Sequence, residues 1–369
     1  MLYFDNAATT KISKQALEAY VSSSECFYNP SSLYSQAGKT QALIEEARQV
    51  FLKGLKAKSN STFVFTGSAT ESNNAVLNAH ITRKDKKYIF SAGEHSSIYE
   101  TAKHYKELGY NIVFIPLNKD GTINTEELYK EIDNSVVLVS IIYVSNETGA
   151  INDIKTITAN IKAINPNIIV HTDGVQAVGK LPINLKELGV DYFTLSAHKI
   201  NGPKGIGGLY IANPNKFKPF ILGGGQEKGL RAGTENIQQI QSFKVAFENI
   251  KKIDYSQHKE QIINNINTND YLLVSTKDCV DNIISLCFKN VRGETILHML
   301  EEQGFLIGTG SACNSKASYN RVLKELVPAE YLEGAIRISF GDDITIEDCK
   351  KLATALTESV NTYRKRIKR

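Results

Sequence analysis

The chain reads as an α/β protein, a mainly parallel sheet followed by a smaller α+β domain. From Thr62 onward, short apolar runs rich in Val, Ile and Phe alternate with longer amphipathic stretches, the pattern of right-handed crossovers between parallel strands. Several runs are apolar throughout, as strands covered on both faces must be. Past residue 252 the sequence turns polar, and helix and strand signals then mix without strict alternation. With 369 residues, two domains and a large core are expected.

Leu2-Tyr3-Phe4 reads as a short strand before the polar turn Asp5 to Thr10. Ser13 can cap a helix through about Ser23, with Ala16, Leu17 and Tyr20 on one face. A second helical pattern runs from Gln36 to Leu55 on Leu43, Ala47, Val50 and Phe51. Strands are expected near 62–66, 88–91, 111–115, 136–144, 167–172, 192–195 and 207–211. Helices fill the gaps near 70–82, 96–108, 125–132 and 153–163, and another runs from about Thr234 to Lys251. The later region offers helices near 255–266 and 294–302 and strands near 271–274, 282–288, 305–307 and 335–340. A helix from about Ile346 to Arg366 closes the pattern. The expected division is a large domain over 14–253 and a small one made of 1–13 plus 254–369.

Composition removes several function classes. Hydrophobic residues at 42% and charged residues at 22% are ordinary for a globular protein, and a net charge of +4 is too small to argue for nucleic acid or a membrane surface. No apolar run reaches the ~20 residues of a spanning helix. The opening residues carry neither a basic nor an apolar leader pattern, and the five cysteines form no C-x-x-C pair. Free thiols in a reducing cytoplasm are expected. The basic end, Arg364 to Arg369, reads either as a helix terminus favoured by the macrodipole or as an RNA-touching tail.

Two strand ends carry the chemistry. Lys199 follows Ser196-Ala197-His198 after the run Tyr192 to Leu195, and Asp173 ends the run Asn167 to Thr172. A strand-end lysine is either a solvated cation or, desolvated, an amine able to form a Schiff base. Asp173 favours the second reading, because pyridoxal phosphate needs a carboxylate on its ring nitrogen and an amine on its aldehyde carbon. Gln176 stands just behind Asp173. The turn Gly67-Ser68-Ala69-Thr70, between a strand and a helix, suits an anion, and Ser196 and His198 add donors. His95 is either a helix-capping residue or a ring stacked on a flat cofactor. His171-x-Asp173 lacks a third metal partner, and Gly202 to Gly208 departs from the dinucleotide spacing. Cys313 lies in a stretch of small residues, Gly308 to Ser315, and is a candidate nucleophile. Arg337, inside an apolar strand, needs either a salt-bridge partner or a substrate carboxylate.

In order along the chain, these segments resemble the cysteine desulfurases of the NifS/IscS type, within the class V aminotransferases. The resemblance rests on Asp5 to Thr10, Asn29-Pro30-Ser31-Ser32, Thr66 to Asn74, Glu94-His95-Ser96-Ser97 and Asn146-Glu147-Thr148-Gly149. It continues through Asp173-Gly174-Val175-Gln176, Ser196 to Lys199, Arg231 to Asn236 and Gly310-Ser311-Ala312-Cys313, the last resembling the group I branch. It implies a type I fold of pyridoxal-phosphate enzymes and a homodimer. It further implies that Lys199 binds the cofactor aldehyde, Asp173 the ring nitrogen and Gln176 the ring hydroxyl, with His95 stacked on the ring and Asn146 beside it. Ala69, Thr70, Ser196 and His198 would hold the phosphate, joined by Thr234 of the neighbouring subunit. Arg337 with Asn146 would bind the carboxylate of L-cysteine, and Cys313 would take its sulfur, leaving alanine. A sulfur-acceptor protein would follow, either an iron–sulfur scaffold or a tRNA-thiolation enzyme. The competing expectations are a selenocysteine lyase or aminotransferase of the same fold, and a non-catalytic sulfur-relay protein.

Overall fold

In the computed structural model, residues 1–276, 278–309 and 320–367 are described. Twelve strands fall within them: β1 Leu2–Phe4, β2 Thr62–Thr66, β3 Lys87–Ser91, β4 Asn111–Ile115, β5 Val136–Ser140, β6 Ile169–Asp173, β7 Tyr192–Ser196, β8 Gly207–Ile211, β9 Tyr271–Leu273, β10 Ile283–Phe288, β11 Phe305–Ile307 and β12 Ala335–Ser339. Seven of them form one sheet in the order β2-β8-β7-β6-β5-β3-β4. All neighbours are parallel except at β8, which runs antiparallel to both β2 and β7. This is the mainly parallel seven-stranded sheet of the type I fold.

Period-two alternation distributes its side chains between two cores. Phe63 and Phe65 of β2, Ile89 of β3 and Val139 of β5 face the helices Ser35–Gly54, Ile154–Ile164 and Ile237–Glu248. Val64, Tyr88, Phe90 and Leu138 face Ala69–His80 and Ser96–Glu107. Both faces are therefore covered, and ligands are left the rim at the carboxyl ends of the strands. A third core joins β10, β12 and the helix Ile346–Ile367 to Phe4. β1 pairs in parallel with β11, so the first residues of the chain lie against its later part.

Element positions follow the sequence pattern closely, with instructive departures. Ser13 caps the helix Lys14–Ser22 by accepting from the Ala16 N–H, but only Ala16 of the expected apolar face is buried. Leu17 and Tyr20 stay on the surface. The apolar run 136–144 is not one regular strand: β5 ends at Ser140, although the N–H groups of Ile141 and Tyr143 still donate to the His171 and Asp173 carbonyls of β6. The helix expected from Thr234 begins at Ile237, where Asn236 caps it by accepting from the Gln239 N–H. The short helices Leu185–Leu188, Arg321–Leu326 and Ala329–Leu332 carry too few periodic positions to be foreseen.

The Gly202–Gly208 stretch is a tight connection entering β8. A Cβ on Gly207 would stand 2.6 Å from the Ser68 carbonyl carbon and 2.7 Å from the Ala69 nitrogen. Glycine here lets β8 pass directly beneath the turn that opens Ala69–His80, which holds that turn at the rim.

Candidate active site

At the rim lies a cavity of about 600 Å³. Ala69, Thr70, His95, Asn146, Asp173, Gln176, Ser196, His198, Lys199 and Arg337 all line it. The exceptions are two. Thr234 is exposed and does not line this cavity. Cys313 lies outside the described residues.

Asp173, at the end of β6, is 3% exposed. Its Oδ1 accepts from the Val175 N–H at 3.0 Å and its Oδ2 from Asn73 Nδ2 at 2.9 Å. Asn73 donates equally to Ser97 Oγ at 2.9 Å, which lies 2.9 Å from His95 Nδ1. The Ser97 N–H also donates to that Nδ1, at 3.2 Å. Nδ1 is therefore an acceptor, and neutral His95 carries its proton on Nε2. Burial lowers the His95 pKa, with Lys199 and Arg321 adding to it against the pull of Asp173, so the neutral ring prevails near pH 7. His95 thus caps Ser96–Glu107, the first of its sequence readings, and also lines the cavity.

Lys199 ends a single 3-10 turn following β7, and its Nζ donates to the carbonyls of Ala7 and Ala8 at 2.6 and 2.7 Å. His198 Nδ1 lies 3.1 Å from Thr9 Oγ1, and burial with the nearby Lys199 lowers its pKa to about 4. It is neutral at pH 7. Ser68 caps Ala69–His80 by accepting from the Glu71 N–H, so this helix N-terminus stands at the cavity edge. Arg337 has the salt-bridge partner of one of its sequence readings and lines the cavity. Its Nη2 pairs with Asp5 Oδ1 at 2.9 Å, its Nη1 donates to the Asn146 carbonyl at 2.8 Å, and its buried Nε has no hydrogen-bond partner among the described residues. The Asn146 side chain donates to Glu147 Oε1 at 2.7 Å.

The donor set fits pyridoxal phosphate. A lysine amine and a buried carboxylate stand across one cavity, a helix N-terminus with two neutral-or-donor side chains offers an anion seat, and an orphaned guanidinium N–H awaits an acceptor. His171 is occupied elsewhere: its ring nitrogens meet Ser140 Oγ at 3.0 Å and Thr194 Oγ1 at 3.1 Å beneath the rim. Among the described cysteines, burial pushes the thiols of Cys287 and Cys349 up to about 12 and also raises that of Cys279, so these stay protonated.

Sequence reasoning missed Asn73, Ser97, Asp5, Glu94 and Arg321. Glu94 is 1% exposed with Oε1 taking the Ser140 hydroxyl at 3.2 Å, and burial beside Asp173 pushes its pKa well up. Arg321 donates to the Glu94 carbonyl and stacks 3.7 Å from the Tyr99 ring centroid. Asn73 and Ser97 lay inside quoted motifs, yet nothing in one dimension shows that they bridge Asp173 to His95.

Fold and site together define a pyridoxal-phosphate enzyme of fold type I. The chain belongs to the class-V aminotransferase family, whose pattern matches residues 2–352. Among curated relatives, the "Cysteine desulfurase IscS" of Dictyoglomus turgidum is 35% identical over 98% of this chain and 95% of its own. Among solved structures, a NifS-like protein superposes with a TM-score of 0.89 at 31% identity, covering 98% of this chain and 99% of that one. "SspA in complex with cysteine" superposes at 0.83 with 30% identity over 92% and 99%.

Proposed function

We propose that this protein is a cysteine desulfurase, releasing L-alanine from L-cysteine and leaving the sulfur as a persulfide on Cys313. The observation that carries the proposal is the meeting of Lys199, Asp173, His95 and Arg337 around one cavity, in a chain whose relatives bear that name. The cysteine bound by the related SspA agrees with the substrate.

Pyridoxal phosphate, when bound, supplies an electron sink that weakens the bonds around the substrate Cα. Lys199 would hold its aldehyde and carry protons to and from the substrate Cα. Asp173, steadied by Asn73 and the Val175 N–H, would keep the ring nitrogen protonated, while Gln176 would bond the ring hydroxyl. His95, with its proton on Nε2, would cover the ring. Ala69, Thr70, Ser196 and His198 seat the phosphate, with Thr234 supplied by a second copy. Arg337, aimed by Asp5 and the Asn146 carbonyl, takes the substrate carboxylate. The Cys313 thiolate then bonds to the substrate sulfur, whose bond to carbon breaks. One thiol proton is kept on the persulfide and the other ends on alanine, so atoms and charge balance without an added oxidant.

Three further statements belong to this reading. The division into 14–253 and 1–13 plus 254–369 accords with the pairing of β1 with β11. A homodimer accords with the exposed aromatic and aliphatic residues Phe27, Leu33, Tyr34, Phe220 and Leu222. A cytoplasmic place and delivery of the sulfur to an iron–sulfur scaffold or a tRNA-thiolation enzyme complete this reading.

The test is release of alanine and sulfide from L-cysteine with added cofactor and a reducing thiol. Cys313→Ala should keep the absorbance of bound cofactor and lose turnover, and Lys199→Ala should lose that absorbance. A Cys313→Ala protein that desulfurates normally refutes the assigned nucleophile.

A further inference from the structure

Behind Gln176 stands a second lysine, in no motif that the sequence singled out for chemistry. Lys180 follows Gly179, whose φ is +86°. Its Nζ donates to Gln176 Oε1 at 2.6 Å. Gln176 is 3% exposed, and its Nε2 donates to the Ala7 carbonyl at 2.9 Å. That same carbonyl accepts from Lys199 Nζ at 2.6 Å. A continuous line of polar groups therefore runs from Lys180 through Gln176 and Ala7 to Lys199.

The two ends of a carboxamide are nearly equal in shape, so its neighbours decide which way it faces. A lysine nitrogen brings N–H groups, whereas a backbone carbonyl can only accept. Held between the two, Gln176 must turn its oxygen to Lys180 and its NH2 to Ala7 and the cavity. Burial and the cations of Lys199 and Arg337 bring the Lys180 pKa down to about 7, and the amine keeps N–H donors in either charge state.

We propose that Lys180 is a positioning residue that locks the Gln176 carboxamide with its NH2 edge toward the cofactor cavity. The proposal rests on the reading of Gln176 as the partner of the ring hydroxyl. A donor at that place favours the ionised ring oxygen, and a rotated carboxamide would present its own oxygen and favour the hydroxyl form. Lys180 thereby sets the electronic state in which the ring is held, without touching it.

The experiment compares cofactor affinity and the absorption spectrum of bound cofactor, at one fixed pH, in the full-length protein. Lys180→Met should weaken cofactor binding roughly tenfold and shift the spectrum toward the form with a protonated ring oxygen. Lys180→Arg, which keeps a donor, should restore both. In a Gln176→Leu background, Lys180→Met should add nothing, since its effect passes through the missing carboxamide. A wild-type spectrum and affinity in Lys180→Met overturns the proposal. So does a Lys180→Arg protein as impaired as Lys180→Met, or a full-sized added effect in the Gln176→Leu background. Should Lys180→Met show no cooperative thermal transition without cofactor, Lys180→Ala, which likewise offers no donor, carries the same expectation. Wild-type protein that takes up no cofactor would instead sink the functional reading, so the two failures are distinguishable.

Discussion

Single residues here act chiefly by being kept neutral or by being kept paired. His80, His171 and His198 are all held below their ordinary pKa of 6.5, at about 4, 3 and 4, first of all by burial. In the unfolded chain they bind protons from pH ~6.5 downward, while in the folded chain they resist until the lower values. The unfolded state thus holds more protons across that window, and stability falls as pH drops from 6.5 toward 4. Each histidine contributes on the order of 3 kcal/mol to that loss at most, at about 1.4 kcal/mol per pKa unit. Urea titrations of the cofactor-free protein at stepped pH should show the decline. His80→Gln, which removes the partner of the Tyr192 hydroxyl at 2.8 Å, should lower stability at pH 7 and flatten the acid limb.

Among elements, the helix Ser35–Gly54 does more than its pattern of apolar residues promises. Arg48, on its buried face, sends Nη1 and Nη2 to the Glu227 carboxylate at 2.7 and 3.2 Å and also reaches the Phe63 carbonyl. Glu227 Oε2 in turn accepts the Phe65 N–H of β2 at 3.0 Å. Helix, edge strand and the segment leading to Thr234 are therefore tied at one buried knot, with Glu227 and Lys228 both at positive φ. Removing half of such a pair strands the other charge in the core. Glu227→Gln should cost about 3–5 kcal/mol in denaturant unfolding. A cost below about 1 kcal/mol would mean that water reaches Arg48. The sequence pattern marks position 48 only as one of many charged places on an amphipathic helix; its burial depends on a glutamate far along the chain.

At the scale of the molecule, Leu33, fully exposed, and Leu222, 79% exposed, are apolar residues that the proposed homodimer would cover. Thr234 is exposed, as its proposed role in the site of a second copy requires. Leu33→Asp with Leu222→Asp should shift the species in sedimentation velocity from dimer to monomer and weaken cofactor binding by removing one phosphate donor. If the doubly substituted protein sediments as wild type does, this face is not the interface.

Local chemistry was enough to establish the alternation of strands and helices and the cap at Ser13, and to single out Lys199, Asp173 and Arg337 as candidates for chemistry. Those properties reside in short stretches: the period of apolar side chains, a hydroxyl before a helix, a charge at a strand end. The joining of His95 to Asp173 through Ser97 and Asn73, the pairing of Arg337 with Asp5 and the facing of Gln176 by Lys180 were decided only when the chain closed. Their cause is hydrogen bonding in a space from which water has been displaced, where each buried donor must find an acceptor wherever the fold brings one. Sequence distance carries no record of that.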